Sequence, residues 1–487
     1  MKGNNMGILS NIEPKEVLSY FETICAIPHG SGNEKEISDY LVSFAKEHNL
    51  KCIQDDSLNV IIFKDGSKGY ENSDPIILQG HMDMVCEKEP GVDHDFTKDG
   101  IKLKVDGDIL SAEGTTLGAD NGIAVAMELA LLADDSLVHP PLECIFTTDE
   151  ETGLFGAEAI DVSMLKGKKF INIDSEDEGI FTVSCAGGVT VISTLPIDRT
   201  DVTGASLEIK VTGLMGGHSG MEINKERANA SLLMGRILYT LSKEVPFGLV
   251  SLAGGSADNV ITKESISTIV VSENEVLKAT EIINKVAGEI KHEFRVPDPA
   301  IEILVANKGS NTVKALTSES TDKVVAFILN YPQGIQNMSV EIEGLVETSI
   351  NLGIAELKDT ELSTTSSVRS AVDSRIHYVA DKAAAMTIAA GGTVKLDGYY
   401  PGWEYKADSS LRDLMVKVFK DMYGKEPTIE AIHAGLECGM FAEKIEGLDC
   451  ISIGPDLRDV HTPDEHLDLA SAKRVWEFLL EVLKESK

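Results

Sequence analysis

The sequence predicts an α/β protein with a mostly parallel central sheet, interrupted by a second domain of α+β type. Three observations predict this. Up to about residue 185, short apolar runs alternate with amphipathic stretches, which is how strands joined by helical crossovers read. From CAGGVT at residues 185–190 the texture changes to Val/Ile/Thr-rich segments separated by long helices. Near the C-terminus an apolar run of the first kind returns at Asp449–Ile453, as expected if the middle of the chain is an insertion. The boundaries read as residues 1–187 and 398–487 for the first domain and 188–397 for the insert.

In chain order, Glu34–Glu47 has the apolar spacing of a helix, and Asn59–Phe63 and Pro75–Gln79 read as strands. Asp120–Ala133 reads as a helix, and Leu142–Thr147 and Lys169–Ile173 as strands. Within the insert, Ser206–Val211, Ser267–Ser272, Ile301–Ala306 and Val340–Thr348 alternate with a two-residue period, while Asn224–Leu241 and Asn274–Glu293 are amphipathic. After Leu396 come the turn-rich DGYYPGWEY, a helix at Ser410–Tyr423, the strand Asp449–Ile453, the loop GPDLRDVHTPDEH and a closing helix at Ala470–Lys484.

Composition narrows the function. The 487 residues are 43% hydrophobic and 25% charged, the profile of an ordinary globular protein with more than one core. Lys+Arg is 44 against 79 Asp+Glu, a formal charge of −35, which argues against nucleic acid or an acidic membrane as partner because both need concentrated cationic charge. The seven cysteines are scattered and never spaced as CxxC, so neither a disulfide framework nor a thiolate zinc site is expected. The opening MKGNNMGILSNIEPKEV lacks the apolar core of a leader peptide, and no apolar stretch approaches the ~18 residues of a membrane span. A cytoplasmic location is expected.

The chemistry lies where apolar strands run into polar clusters. His81 and Asp83 follow PIILQG, and Asp120 lies at a helix start, where N-capping explains an Asp about equally well. Asp149, Glu150 and Glu151 follow LECIFTT, Asp174 follows FINI, and His461 follows CISIGP after a short loop. Each has an ordinary structural explanation alone. Together they put His, Asp, Glu, Asp and His at strand ends, the edge where ligands bind in open α/β sheets, and this donor set suits zinc, manganese or cobalt. Two divalent ions need a bridging carboxylate, which Asp120 supplies, with His81 and Asp174 on one ion and Glu151 and His461 on the other. Glu150, expected to point away from its ligating neighbour, is left as general base, and Asp83 as the acceptor that orients His81. No G-x-S-x-G elbow, P-loop or Cys/His pair offers a covalent or nucleotide alternative.

HMD at 81–83, GADN at 118–121, DEETG at 149–153, NIDSE at 172–176 and the late His461 resemble, in order and across nearly the whole chain, the M20 metallopeptidases. LQGHMDMVCEK, GTTLGADNGIA, GLMGGHSGMEI and HAGLECGMF more closely resemble their aminoacyl-histidine (Xaa-His) dipeptidase branch. The resemblance implies a zinc-peptidase-like catalytic domain interrupted by a lid, two divalent ions per chain, the ligand, base and supporting residues just named, short peptide substrates and a homodimer formed through the lid. It also implies a lid His at His218 acting near the substrate carbonyl. Asn259 belongs to the same site, although Thr262 replaces a Pro that often follows in the family. Arg369, rather than Arg375 beside Asp373, is expected to take the substrate carboxylate, and Glu437 to line the pocket. An N-acyl amino-acid deacylase and a noncatalytic metal-binding protein are the alternatives; retention of Glu150 argues against the second.

Overall fold

The structure, a computed structural model, describes residues 7–487; Met1–Met6, which begin the stretch expected to lack a leader, lie outside the described residues. The chain forms two compact units. The first contains residues 7–184, Tyr405–Ala431 and Leu436–Lys487, and the second Cys185–Glu404 with Ile432–Gly435.

The first unit is built on an eight-stranded sheet in the order Lys51–Gln54, Val60–Lys64, Leu142–Thr147, Ile76–His81, Lys169–Asn172, Asp449–Ser452, Ile180–Cys185 and Thr428–Ile432. Its central four strands are parallel, with antiparallel neighbours on either side. Every residue of Ile76–His81 and Leu142–Thr147 is buried, which is why both read as mostly apolar runs despite Gln79 and Glu143. The helix Ala119–Ala133 packs against Ile76–His81 and is buried almost all round. Gly80 permits this: a Cβ there would lie 2.5 Å from Asn121 Oδ1 and 2.7 Å from Ala124 Cβ. Lys64 closes the far end of that helix, its ammonium donating to the carbonyls of Leu131, Leu132 and Asp134.

Parallel pairing brings the carboxyl ends of the central strands to one edge, with His81 opposite Thr147 and Gln79 opposite Asn172. Side chains tie this edge together. Asn172 Nδ2 donates to Gln79 Oε1 (2.8 Å), Gln79 Nε2 to Thr147 Oγ1 (3.1 Å), and Ser452 Oγ to Asn172 Oδ1 (2.5 Å). A small antiparallel sheet of Leu103–Asp106, Ile109–Ala112, His466–Asp468 and Leu457–Arg458 completes the unit, and residues 459–465 form the hairpin loop between its last two strands.

The second unit is a nine-stranded sheet whose inner faces share one apolar core with the helices Ala230–Ser242, Val276–Glu293, Ser318–Asn330 and Asp373–Ala389. Two expected elements differ. The segment Val340–Thr348 is not a strand from its start: Val340 is 94% exposed, Gly344 takes φ +81°, and the strand is Val346–Leu357. The expected helix Asn224–Leu241 begins only at Ala230, because the Asn229 side chain accepts the amides of Ser231 and Leu232 and caps it there. Among the described residues no helix is long and apolar enough to cross a membrane, and no disulfide forms.

Candidate active site

The carboxyl edge of the first unit gathers the expected residues. His81 Nε2 lies 3.1 Å from Asp120 Oδ1 and 3.5 Å from Asp174 Oδ1. On the other side of Asp120, His461 Nε2 lies 3.2 Å from Asp120 Oδ2 and 3.0 Å from Glu151 Oε2. Asp120 does not cap its helix; its two oxygens face the two imidazoles. Three trios bring ligand atoms within 4.8 Å of one another: His81 with Asp120 and Asp174, Asp120 with Glu151 and His461, and His81 with Glu150 and Glu151.

The last trio corrects the expected direction of Glu150. The expectation assumed an extended segment, but Asp149 takes φ +49° and the amides of Gly153 and Leu154 fold back onto the Glu150 carbonyl. Both neighbouring carboxylates therefore reach the same cluster. Asp83 holds this turn: its carboxylate accepts the backbone N–H groups of Glu150 (3.1 Å) and Glu151 (3.3 Å) and the Ser31 hydroxyl (2.7 Å). His81 Nδ1 faces the Asp83 carbonyl at 3.0 Å and its carboxylate at 3.4 Å, which leaves Nε2 for the cluster.

The electrostatics describe a place short of positive charge. Burial works against the His81 imidazolium, yet Asp174, Asp120 and Asp83 hold its pKa well above the ordinary value. Hydrogen bonds to Asp120 and Glu151 raise His461 to about 11. Burial lifts Asp174 to about 6 against the pull of His81, and lifts Glu150 well above the carboxylate range. Burial also works to raise Asp120, but the two imidazoles overcome it and keep that carboxyl well below its usual range. Glu151 Oε1 is buried without a hydrogen-bond partner. Crowded carboxylates, imidazoles pulled toward protonation and an orphaned buried oxygen are the donor set that divalent ions fit.

Glu437 lies at the same strand ends. It is 0% exposed, opening the helix Glu437–Lys444, and accepts from Gln79 Nε2 (2.5 Å) and Thr147 Oγ1 (2.8 Å) beneath the cluster. Burial pushes its carboxyl to about 8. Its Oε2 joins the side-chain chain across the strand ends, while its Oε1 is buried without a hydrogen-bond partner. A residue not anticipated, Glu465, is 2% exposed and accepts four backbone N–H groups, those of Leu117, Gly118, Ala119 and Asp120. Its visible signal was Gly118, a helix start with no side-chain cap of its own.

The second unit holds a different group. Arg369 lies on the strand Glu361–Ser370, 8% exposed, with Nη1 donating to Tyr400 Oη (2.9 Å) and Nε buried without a partner. Its cross-strand neighbour Ser349 hydrogen-bonds His433 Nε2 at 2.8 Å. Gly435 leaves room for the Tyr400 ring, since a Cβ there would sit 2.9 Å from it. Arg375 is engaged elsewhere, paired with Glu347 at 2.5 Å rather than with Asp373. The His218 loop and the Asn259 loop are joined, Ser219 N donating to Asn259 O (2.8 Å). Thr262, where the family often has Pro, anchors its loop by donating its hydroxyl to the carbonyls of Leu352 and Gly353.

Peptidase family M20/M25/M40 matches residues 77–485. The cytosol non-specific dipeptidase of Escherichia coli (strain K12) is 37% identical over 482 residues, 99% of each chain. The aminoacylhistidine dipeptidase of Vibrio alginolyticus has a solved structure that superposes with a TM-score of 0.93 at 34% identity, covering 98% of each chain. An aminopeptidase from Bacillus cereus shares the fold, with a TM-score of 0.56 at 14% identity over 98% of this chain and 99% of the other. On the extent of the family match and this full-length relative, the chain belongs to the M20 peptidase family.

Proposed function

We propose that the protein is a metal-dependent dipeptidase that hydrolyses short unblocked peptides, Xaa-His dipeptides among them. The observation that carries this reading is the overlap of three metal-capable trios on His81, Asp120 and Glu151, with the Glu150 carboxylate in the same cluster. His81, Asp120 and Asp174 would hold one divalent ion, and Asp120, Glu151 and His461 a second, zinc being the first choice and manganese or cobalt the others. Ions held there supply a lowered water pKa and a polarised carbonyl. Glu150 takes the proton of the attacking water on its carboxylate and returns it to the leaving amine nitrogen.

In the second unit, His218 Nδ1 accepts the amides of Gly220 (3.2 Å) and Met221 (3.1 Å), so its proton resides on Nε2. Burial and the nearby Arg369 lower its pKa, keeping it neutral and able to donate to the developing oxyanion. Asn259, on the adjoining loop, adds a polar contact to the substrate. Arg369, with no carboxylate hydrogen-bonded to it among the described residues, takes the substrate carboxylate. The names of the two full-length relatives support dipeptides as the substrate class, and the word cytosol in one of them supports a cytoplasmic site of action. Self-association through the second unit is part of this reading; a single-chain mass in analytical ultracentrifugation overturns that part.

The test is a dipeptide panel on metal-stripped protein reconstituted with zinc, manganese or cobalt. Ala-His should be cleaved and N-acetyl-His spared, whereas the reverse would make the protein a deacylase. Glu150→Gln should keep its metal and lose about 10²- to 10⁴-fold in kcat. Near-normal kcat in that variant removes Glu150 as the base.

A further inference from the structure

The metal-capable cluster draws its ligands from distant parts of the chain, and Asp120 is common to two of its trios. What holds Asp120 in place is therefore decisive for both. It lies where the backbone is not helical: Gly118 has φ +72°, and Asp120 and Asn121 depart from helical angles within Ala119–Ala133. The amides of residues 117–120 have no partner within their own helix, and Leu117, Gly118 and Ala119 are buried from water.

Glu465 answers all four amides. Its Oε2 accepts from Leu117 (2.7 Å) and Gly118 (3.1 Å), and its Oε1 from Ala119 (2.9 Å) and Asp120 (3.2 Å). It is also anchored in the loop that presents His461, its own amide donating to the Thr462 carbonyl at 3.1 Å. His461 takes φ +61° in that loop. One buried carboxylate thus joins the segment carrying Asp120 to the segment carrying His461.

We propose that Glu465 is the positioning residue of the metal centre, locking the Asp120 backbone to the His461 loop so that the shared carboxylate is preorganised for both ions. The proposal rests on the two-ion reading above. Removing the carboxylate leaves Asp120 free to turn away from both imidazoles, and both ions should then bind more weakly. Outer partners of metal ligands commonly account for about ten- to a hundredfold in affinity.

The experiment is chelator competition with zinc alone, without substrate, on metal-stripped wild-type protein and on Glu465→Gln, Glu465→Asp and Glu143→Gln. A Gln keeps one acceptor oxygen for two of the amides but turns an NH₂ group toward the other two donors; an Asp keeps the charge but shortens the reach. Glu143 is the control, a buried carboxylate that likewise accepts backbone amides, from Lys166 and Gly167, at the opposite end of the strand Leu142–Thr147. We expect zinc affinity at both ions to fall about ten- to a hundredfold in Glu465→Gln, less in Glu465→Asp, and not at all in Glu143→Gln even where thermal stability falls as far. Wild-type affinity in Glu465→Gln, or a loss matched by Glu143→Gln, overturns the proposal. Should Glu465→Gln not fold, wild-type zinc affinity in Glu465→Asp overturns it equally. Wild-type protein that fails to take up two zinc ions would instead refute the underlying two-ion reading.

Discussion

The two units each bury a cluster of ionisable side chains, and the same force acts on them with opposite results. In the first, burial lifts the carboxyls of Asp174 and Glu150, and neighbouring carboxylates pull His81 and His461 toward the protonated state. In the second, burial lowers His218 and His433, and the Arg369 guanidinium lowers both further. The first cluster is short of positive charge, and in the second burial and Arg369 outweigh the Glu222 carboxylate that pulls His218 the other way. Each is short of the charge that its proposed ligand brings, divalent cations to one and a substrate carboxylate to the other, so the sign of a buried group's shift indicates what the site is built to receive.

The largest expected effect tests the cation-short cluster. Asp120→Ala removes a ligand from two trios at once, so elemental analysis should find both ions lost and turnover at background. Two tightly held ions in this variant would mean that the shortage is not centred on Asp120. Next is the anion-short cluster. Truncating one partner of a buried charge pair costs about 2–5 kcal/mol, so Arg369→Ala should raise KM for Ala-His steeply with metal content unchanged. Comparing Ala-His with its C-terminal amide sharpens the point, because equal losses on both would show that the guanidinium does not recognise the carboxylate.

The smallest effect is a pH slope. His433 is pushed down to about 3 by burial, then by Arg369 and His218, whereas in the unfolded chain it titrates near 6.5. Between these values the unfolded state binds the extra proton, so stability rises with pH across this window and is lost on acidification, by at most about 1.4 kcal/mol per pH unit. Urea unfolding at pH 7 and pH 5 should show a shallower dependence in His433→Gln. An identical slope in wild type and variant would remove His433 from this account.

The parts of the molecule legible from sequence were those where polarity changes abruptly. Ile76–His81 and Leu142–Thr147 are buried throughout, so their apolar runs stood out, and the polar residues that ended them proved to be the cluster itself. The direction of Glu150 was not legible, because it depends on the left-handed backbone at Asp149 rather than on residue type. The bonds from Gln79 and Thr147 to Glu437 were not legible in HAGLECG, because those partners lie far away in the chain. Glu465, in the acidic stretch PDEH, looks like a solvated carboxylate until the distant amides that it satisfies are known. The two- to four-residue strands of the small sheet are too short for any period to register.

The first unit is written in three pieces, while all but four residues of the second lie in one continuous stretch. During synthesis the second unit can therefore be complete while the first still waits for the last strand of its eight-stranded sheet, Asp449–Ser452, and for His461 and Glu465. At roughly 5–20 residues per second, the about 290 residues from Asp174 to His461 take roughly 15–60 s to appear. Throughout that interval the Asp120–Glu151–His461 trio does not exist, so a nascent chain cannot assemble the full hydrolytic centre until His461 has been added.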